Sequence, residues 1–283
     1  MTETVGLFGL GLIGRALTTR LLAAGFAVQG YDPGAEACAA FAELGGVVVT
    51  PEDVWANGVV LSAVFDTAQL ASVIDAAPDG ASGTIISTST CDPDEMPGIA
   101  EKAAVKGITL IEAPLSGTSK DLAKGNAVFL LGGDEASCDE LAPLFDKLGR
   151  AHYYQGDVGQ GNRAKLAINL VLGLNRAALA EGLVFAEALG LETSGFLELL
   201  QDSAAKSAVM SSKGPLMVAR DFRPLGRIAQ SAKDFNLIRD QAAKAGQHLP
   251  FAQTYQSMVD AGVEAGEGDL DNSGILLAIE RAK

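Results

Sequence analysis

Two polar side chains stand on a long apolar segment between Gly156 and Gly190. Lys165 and Asn169 are four residues apart, so on a helix they share one face. There they could act as a proton donor and an orienting amide in a cleft between two domains. The alternative is a lysine whose stem lies along apolar surface while its ammonium reaches water, with Asn169 as a surface residue. The spacing alone leaves both interpretations open.

A second group of residues has the spacing of a phosphate-binding turn. The segment GLFGLGLIG places three glycines in a GxGxxG pattern, after a predicted strand and at the start of a predicted helix. The first glycine permits a tight turn, the second lets the backbone approach a pyrophosphate, and the third allows close packing of helix on strand. The residues of this predicted dinucleotide-binding loop are Gly9, Leu10, Gly11, Leu12, Ile13 and Gly14.

An acidic residue follows the second predicted strand, in the segment GYDPG. Asp32 lies where a carboxylate would accept hydrogen bonds from the adenosine ribose hydroxyls and would repel a 2′-phosphate. No arginine follows it, since Pro33 and Gly34 come next. A glycine-rich turn without a ligand would not require this acidic residue. The two features together predict dinucleotide binding and favour NAD over NADP as the cofactor.

The elements that must position these residues follow two different patterns. Up to about Gly149, short apolar runs alternate with stretches of helical period, which predicts a mainly parallel sheet with helices on both faces. After one more helix that ends near Gly149 the strand signals stop, and from Gln160 the patterns are almost all helical, with breaks at Gly190 and in SKGPL, DFRPLG and GQHLP. The strand-like runs are 4–9, 27–32, 47–49, 59–65, 83–88, 108–113 and 126–133.

These patterns predict an α/β protein with three parts. Residues 1–157 form a Rossmann-type NAD-binding domain, residues 158–189 form a connecting helix, and residues 190–283 form an all-α domain for substrate binding and dimerisation. The connecting helix would span about 40 Å at about 1.5 Å per residue. Because it is apolar almost all round, it favours burial against a partner chain, in a homodimer or homotetramer.

Charge and cysteine usage exclude several classes of partner. With 35 acidic against 21 basic residues, the net charge of −14 argues against nucleic acid and anionic membranes, which both need a basic face. Lys165, Arg176 and Glu181 interrupt every apolar window of about 18 residues on the long helix, so no membrane span is expected. The three cysteines form no CxxC pair and the two histidines lie far apart, so no disulfide framework or metal site is predicted. A reducing, cytoplasmic setting is expected.

Several motifs, taken in order, resemble the β-hydroxyacid dehydrogenase family. They are the glycine loop, STSTCDP around Thr90, EAPLSG at 112–117, GQGNRAKLAIN at 159–169, AKDFNL at 232–237 and GEGDLDNSG near the end. The resemblance covers nearly the whole chain and is specific for the family but not for the substrate. It implies an NAD-dependent oxidoreductase that transfers a hydride reversibly between nicotinamide and a small hydroxy acid or semialdehyde.

The resemblance also implies a role for individual residues. Lys165 would be the general acid/base, and Asn169 would help to orient the reacting oxygen. The loop Ser116, Gly117 and Thr118 would bind the substrate carboxylate. The further cofactor-binding residues would be Val64, Phe65, Gln69, Thr90 and Lys233, the last closing over the nicotinamide from the helical domain.

Three positions depart from the family pattern. Thr118 stands where many relatives have a second glycine, and its side chain is expected to narrow or polarise the substrate pocket. Ser87 stands where aspartate is common, and Ile168 stands where asparagine is frequent. The substrate is therefore not assigned from the family average.

Two alternative functions remain open at this point. An imine reductase is one, although relatives of that type usually replace the catalytic lysine, which is present here as Lys165. A non-catalytic dinucleotide-binding module is the other, and the retained Lys165, Asn169 and Ser116 count against it. Turnover of hydroxy acids separates both alternatives from the dehydrogenase.

Overall fold

The computed structural model describes residues 3–282, which divide into two compact units. The first unit ends at Lys165 and the second, helical unit begins at Leu166. One continuous helix, α8 (Gln160–Ala188), starts in the first unit and continues into the second. The boundaries predicted at 157/158 and 189/190 stay sequence-based predictions.

The first unit is built on a six-stranded, wholly parallel sheet. Its order is β3-β2-β1-β4-β5-β6, which is typical of dinucleotide-binding folds and confirms the predicted sheet. The strands are β1 (Thr4–Phe8), β2 (Ala27–Tyr31), β3 (Val47–Val48), β4 (Val59–Ser62), β5 (Gly83–Ser87) and β6 (Ile108–Glu112). Each lies within a run that the sequence analysis predicted to be a strand.

Both faces of this sheet are buried, because successive residues of its strands enter different cores. On β1, Leu7 packs in a cluster with Leu17 and Phe41, whereas its neighbour Phe8 packs in a second cluster with Trp55. The alternation follows from the two-residue period of a strand. The helices that supply the two layers are α1 (Leu12–Ala23), α2 (Ala35–Glu43), α3 (Pro51–Trp55), α4 (Thr67–Asp75) and α5 (Met96–Val105).

A small second sheet completes the first unit. Strand β7 (Leu115–Ser116) pairs antiparallel with β8 (Val128–Leu131), and β9 (Ala151–Tyr154) pairs parallel with β8. Helices α6 (Ser119–Ala123) and α7 (Glu135–Leu148) lie between these strands in the chain. The prediction that no strand follows Gly149 is wrong, because β9 is short and half exposed and its pairing with β8 fixes its conformation.

The second unit is entirely helical apart from its connecting loops. After α8 come α9 (Thr193–Asp202), α10 (Ala208–Ala219), α11 (Ile228–Lys244), α12 (Pro250–Glu264), a 3₁₀ turn (Asn272–Gly274) and α13 (Ile275–Arg281). The predicted breaks at Gly190, 221–226 and 246–249 are confirmed.

The predicted break in SKGPL is wrong. Helix α10 runs through Gly214 and Pro215 without interruption. Gly214 packs closely on α9, where a Cβ atom would lie 2.5 Å from Leu197 Cδ1, and the preceding Lys213 is paired with Asp271. These tertiary contacts hold the helix together where the local sequence would end it.

Candidate functional site

The glycine loop joins β1 to α1 in the arrangement that the sequence predicts. Gly9 has φ of 84°, a conformation that glycine adopts without strain, and a Cβ on Gly14 would lie 1.9 Å from the Gly9 carbonyl oxygen. A Cβ at Gly11 would meet nothing within 4 Å, and Gly11 caps α1 without a side-chain hydrogen bond. Open space in front of a bare helix N-terminus fits a pyrophosphate.

Asp32 lies at the end of β2, next to this loop. Its Oδ2 accepts a hydrogen bond from the Leu10 N–H at 2.8 Å, and its Oδ1 accepts one from the Gly34 N–H at 2.8 Å. The carboxylate therefore connects the glycine loop to the turn after β2. Both oxygens of a carboxylate retain lone pairs for further donors, such as ribose hydroxyls.

The residues predicted along the dinucleotide path follow the next two strands of the sheet. After β4, the Phe65 N–H donates to Gln69 Oε1 at 2.9 Å, and Ser89, after β5, donates its hydroxyl to the Val64 carbonyl at 2.7 Å. Thr90 is buried beside Ser89. Because carboxyl ends of parallel strands meet at one edge of a sheet, these loops lie at the same edge as the glycine loop.

The predicted substrate loop lies between β7 and α6. Ser116 ends β7, Gly117 follows, and Thr118 is the N-cap of α6. Thr118 and Asp121 form a capping box: the Thr118 N–H donates to Asp121 Oδ2 at 2.9 Å, and the Asp121 N–H donates to Thr118 Oγ1 at 3.1 Å. The Thr118 hydroxyl thus takes part in starting α6, and the effect of this side chain on the substrate pocket stays a prediction. Ser116 is partly exposed.

A buried carboxylate stands directly before this loop. Glu112, fully buried at the end of β6, accepts hydrogen bonds at Oε2 from the Gly159 N–H (2.9 Å) and the Gly161 N–H (3.1 Å), and at Oε1 from Asn162 Nδ2 (2.7 Å). Burial raises the pKa of the Glu112 carboxyl above its ordinary value, against the opposing effect of these hydrogen bonds. Sequence reasoning singled out neither Glu112 nor Asn162.

Lys165 and Asn169 both lie on α8, as the sequence predicts. Lys165 is 9% exposed, on the second turn of the helix, and Asn169 is one turn further on and partly buried. Burial of a lysine to this degree distinguishes it from a solvated surface lysine, because ammonium groups are rarely buried without a function or a partner. The side chain is therefore held within the protein rather than extended into water.

Asp234 on α11 brings two of the predicted residues together in the helical unit. Its Oδ2 accepts from Asn169 Nδ2 at 2.7 Å, and its Oδ1 lies 3.1 Å from Lys233 Nζ and accepts from Gln230 Nε2 at 3.1 Å. The bond fixes the Asn169 amide, with its nitrogen toward Asp234. Sequence reasoning missed Asp234; its one signal was its place beside Lys233 in AKDFNL.

Metal ligands were not predicted, and the described residues hold no group of three or more His, Cys, Asp or Glu side chains that could bind an ion. The absence of a metal role stays a prediction.

Two family models match the chain in succession. Residues 4–156 match the NAD-binding domain of 6-phosphogluconate dehydrogenase, and residues 159–279 match the "NAD-binding of NADP-dependent 3-hydroxyisobutyrate dehydrogenase". The first match contains the glycine loop, Asp32 and the Ser116 loop. The second contains Lys165, Asn169 and Lys233.

Whole-chain similarity agrees with these matches. The chain is 30% identical to glyoxylate/succinic semialdehyde reductase 1 of Arabidopsis thaliana, over 98% of both chains. It is 30% identical to 2-hydroxy-3-oxopropionate reductase of Escherichia coli, over 98% of this chain and 97% of that one. The structure of 3-hydroxyisobutyrate dehydrogenase from Salmonella typhimurium is 25% identical, with a TM-score of 0.87, over 97% of this chain and 99% of that one. The chain therefore belongs to the β-hydroxyacid dehydrogenase family and is an NAD(P)-binding oxidoreductase of the hydroxyacid dehydrogenase/reductase class.

Proposed function

We propose that this enzyme interconverts a small hydroxy acid and its aldehyde or ketone with NAD, using Lys165 as the general acid/base. The observation that carries the proposal is the burial of Lys165 on α8, one turn before an asparagine whose amide is held by Asp234. A buried ammonium one turn from an oriented amide is suited to a single oxygen atom that gains and loses a proton.

Each residue has a distinct task in the proposed reaction. When bound, the nicotinamide supplies the hydride acceptor for oxidation and, in its reduced form, the donor for reduction. In oxidation, Lys165 Nζ acts as the neutral amine and takes the proton from the substrate hydroxyl to become the ammonium; in reduction, the ammonium gives that proton to the carbonyl oxygen. Asn169 orients that oxygen. The Ser116 hydroxyl binds the substrate carboxylate, which aligns the reacting carbon.

The names of the relatives support an acidic substrate. Glyoxylate, succinic semialdehyde, 2-hydroxy-3-oxopropionate and 3-hydroxyisobutyrate are all small carboxylates that carry an aldehyde or hydroxyl group. The net charge of −14 gives the protein no general attraction for anions, so binding of such a substrate must come from local groups. The Ser116 loop and Lys165 are the groups that we propose.

A substrate panel tests the proposal. With NAD, the enzyme is expected to oxidise at least one of 3-hydroxyisobutyrate, glycerate, threonate, 3-hydroxypropionate and 4-hydroxybutyrate. The kcat/KM for the best acid should exceed that for its amide by about 10² or more, since the carboxylate positions the reacting carbon. The rate of NADH formation, followed by absorbance at 340 nm, measures both reactions. A ratio of about 10² in kcat/KM corresponds to a difference of roughly 3 kcal/mol in activation free energy.

Two outcomes of the panel would contradict the proposal. Equal kcat/KM for acid and amide would remove the role of the Ser116 loop in carboxylate binding. Turnover of cyclic imines with NADH, without turnover of any hydroxy acid or semialdehyde, would instead support imine reduction. NAD binding without turnover of any compound would support a binding module.

The cofactor preference is a separate prediction. We expect NAD to be preferred over NADP in kcat/KM, because the Asp32 carboxylate would repel a 2′-phosphate. Asp32→Ala should narrow this preference about tenfold, an energy of about 1.4 kcal/mol. It should also lower kcat/KM with NAD itself, since the Leu10 and Gly34 N–H groups lose their acceptor.

A neighbouring acid supplies the control. Glu36 is exposed on the first turn of α2, and in the contacts described it accepts no hydrogen bond from the glycine loop. Glu36→Gln therefore removes one negative charge, as Asp32→Ala does, without removing an acceptor from that loop. Glu36→Gln should leave the preference within about twofold of wild type, as expected for a screened surface charge. A wild-type enzyme that prefers NADP would overturn the role of Asp32.

We also propose that the chain assembles as a homodimer or homotetramer through its helical unit. Large apolar side chains are exposed on α8 and α9, among them Val171 (58%), Phe185 (63%) and Leu199 (63%). Of the described helices, α8 alone has the length and composition of a membrane span, and 28% of its most apolar window is buried. Two of its polar residues are bonded to neighbouring helices, Asn169 to Asp234 and Arg176 to Tyr255, which favours a second copy over lipid. Light scattering of the full chain measures the assembly.

A further inference from the structure

The Glu112 carboxylate is enclosed by hydrogen-bond donors. Two backbone N–H groups and the Asn162 amide point at its two oxygens, and these three are all donors. Because all three are donors, the arrangement favours the carboxylate form, against the burial that raises the pKa of this group. Each of these bonds is charge-assisted and therefore stronger than a bond between neutral groups.

The position of this carboxylate is fixed by close packing as well. A Cβ atom on Gly132 would lie 2.4 Å from Glu112 Oε2, and one on Gly161 would lie 3.1 Å from it. Backbone therefore approaches the carboxylate from two directions, at positions where only glycine fits. Larger residues at these two positions would displace the Glu112 carboxylate.

Asn162 also forms a hydrogen bond to the segment after β5. Its Oδ1 accepts from the Cys91 N–H at 2.8 Å, so its amide nitrogen must face Glu112. Asn162 is fully buried. The Glu112–Asn162 pair thus ties the end of β6 to the segment after β5 and to the first turn of α8.

These three segments hold residues with different predicted tasks: cofactor binding, binding of the substrate carboxylate, and proton transfer. The segment after β5 contains Thr90, one residue before Cys91. The chain after Glu112 leads through three residues to Ser116. The first turn of α8 contains Asn162, and Lys165 follows it by three residues, within the same compact unit.

We propose that Glu112, acting through Asn162, is a positioning residue that places Lys165 relative to the Ser116 loop and the Thr90 segment without touching the substrate. The proposal rests on the proposed function of Lys165. Misplacement of a proton-transfer group by about 1 Å can cost up to about 10²-fold in rate, so loss of this pair should appear in kcat.

Two variants interrupt the pair at different atoms. Glu112→Gln keeps the shape of the side chain but puts an NH₂ group against one of the three donors. Asn162→Ala keeps the Glu112 carboxylate and both of its backbone donors but removes the bonds to Asn162 and Cys91. In folded protein, each variant is expected to lower kcat by about 10-fold to 100-fold while the Kd for NADH stays within about threefold.

Asp134→Asn is the matched control. Asp134 is also a carboxylate at a helix N-terminus of the first unit, where it accepts from the Ser137 N–H of α7 at 2.9 Å. Among the contacts described for residues 3–282, it forms no hydrogen bond to the three segments, so its loss should leave kcat within about twofold of wild type. A loss of thermal stability without a change in kcat is the signature of a purely structural carboxylate.

The decisive experiment combines each substitution with Lys165→Ala and measures the residual single-turnover rate of the double variant. If Glu112 acts through Lys165, Glu112→Gln and Asn162→Ala should there change the residual single-turnover rate by less than about twofold, because the group that they position is gone. The proposal is overturned if both folded variants keep kcat within twofold of wild type, or if their losses are as large without Lys165. Where Glu112→Gln does not fold, Asn162→Ala decides. Failure of Lys165→Ala itself to lower kcat would instead overturn the proposed function.

Discussion

Replacing Lys165 with alanine is expected to lower kcat by roughly 10²–10⁴, or about 3–5 kcal/mol of transition-state stabilisation. The variant should keep its fold and its affinity for NAD, because the glycine loop and Asp32 lie on other elements. The physical reason is that no water molecule can replace a buried ammonium that both exchanges the proton and stabilises the developing alkoxide. Steady-state rates on the best acid of the panel, with NADH binding followed by fluorescence, measure the two effects separately.

Arg163 supplies the control on the same helix. Its side chain is 43% exposed and pairs with Asp94, with 2.7 Å between Nη2 and Oδ1. Arg163→Ala removes a positive charge two residues away and should leave kcat within about twofold of wild type, since an exposed ion pair contributes little. If Lys165→Ala retained most of the turnover while changing stability modestly, Lys165 would be a lysine whose stem only covers apolar surface.

Asn169 should contribute less than Lys165, because it orients the oxygen and exchanges no proton. Asn169→Ala is expected to lower kcat by about tenfold, and the double variant should lose less than the product of the two single losses. The reason is that both side chains act on one oxygen. Independent, multiplicative losses in the double variant would contradict this shared role.

Asp271→Ala is expected to lower the free energy of unfolding of the helical unit by about 3–5 kcal/mol. Asp271 is fully buried and lies 2.8 Å from Lys213 Nζ, which is itself 5% exposed. The same carboxylate accepts hydrogen bonds from the backbone N–H groups of Leu225, Gly226 and Ser273. Removing this carboxylate leaves the buried Lys213 ammonium without its counter-ion. It also leaves three backbone N–H groups without their acceptor. The apparent Tm should fall by about 10 °C or more.

An exposed pair supplies the matched control for this change. Lys102 and Asp75 are 3.3 Å apart and both 56% exposed, so Asp75→Ala should cost less than about 1 kcal/mol. Urea titrations of the two variants compare the energies directly. Equal and small effects of Asp271→Ala and Asp75→Ala would show that the buried pair is not needed for stability.

The Asp271–Lys213 pair also predicts how acid affects stability. Burial opposes ionisation, but the Lys213 charge and the hydrogen bonds hold the pKa of Asp271 below its ordinary value. A lowered pKa means that the stabilisation is fully present above the unfolded pKa of about 3.9 and is lost as the pH falls through the folded value. Unfolding of the wild type should therefore become easier below about pH 4, and Asp271→Ala should reduce this dependence.

The local parts of the molecule could be read from the sequence. The six parallel strands, the glycine loop with its short distance between Gly9 and Gly14, the acidic end of β2 and the long helix α8 all follow from spacing and periodicity. These are properties of neighbouring residues, because a turn, a strand or a helix face is defined within a few positions of the chain. The shared face of Lys165 and Asn169 is one of them.

The exceptions occur where distant contacts outweigh local preference. Helix α10 continues through Pro215 because Gly214 packs on Leu197, and β9 forms because β8 offers it a paired edge. In each case the local sequence permitted two outcomes, and packing selected one.

The partners of the buried polar groups were decided by the tertiary structure alone. Glu112 meets Asn162 across 50 positions, Asn169 meets Asp234 across 65, and Lys213 meets Asp271 across 58. No periodicity encodes such pairs, because loops of this length can close in many ways and the choice depends on how whole elements pack. The sequence by itself therefore determined which groups could do the chemistry. The fold determined which of them are buried, which are paired, and whether the lysine on α8 is held in place or free in water.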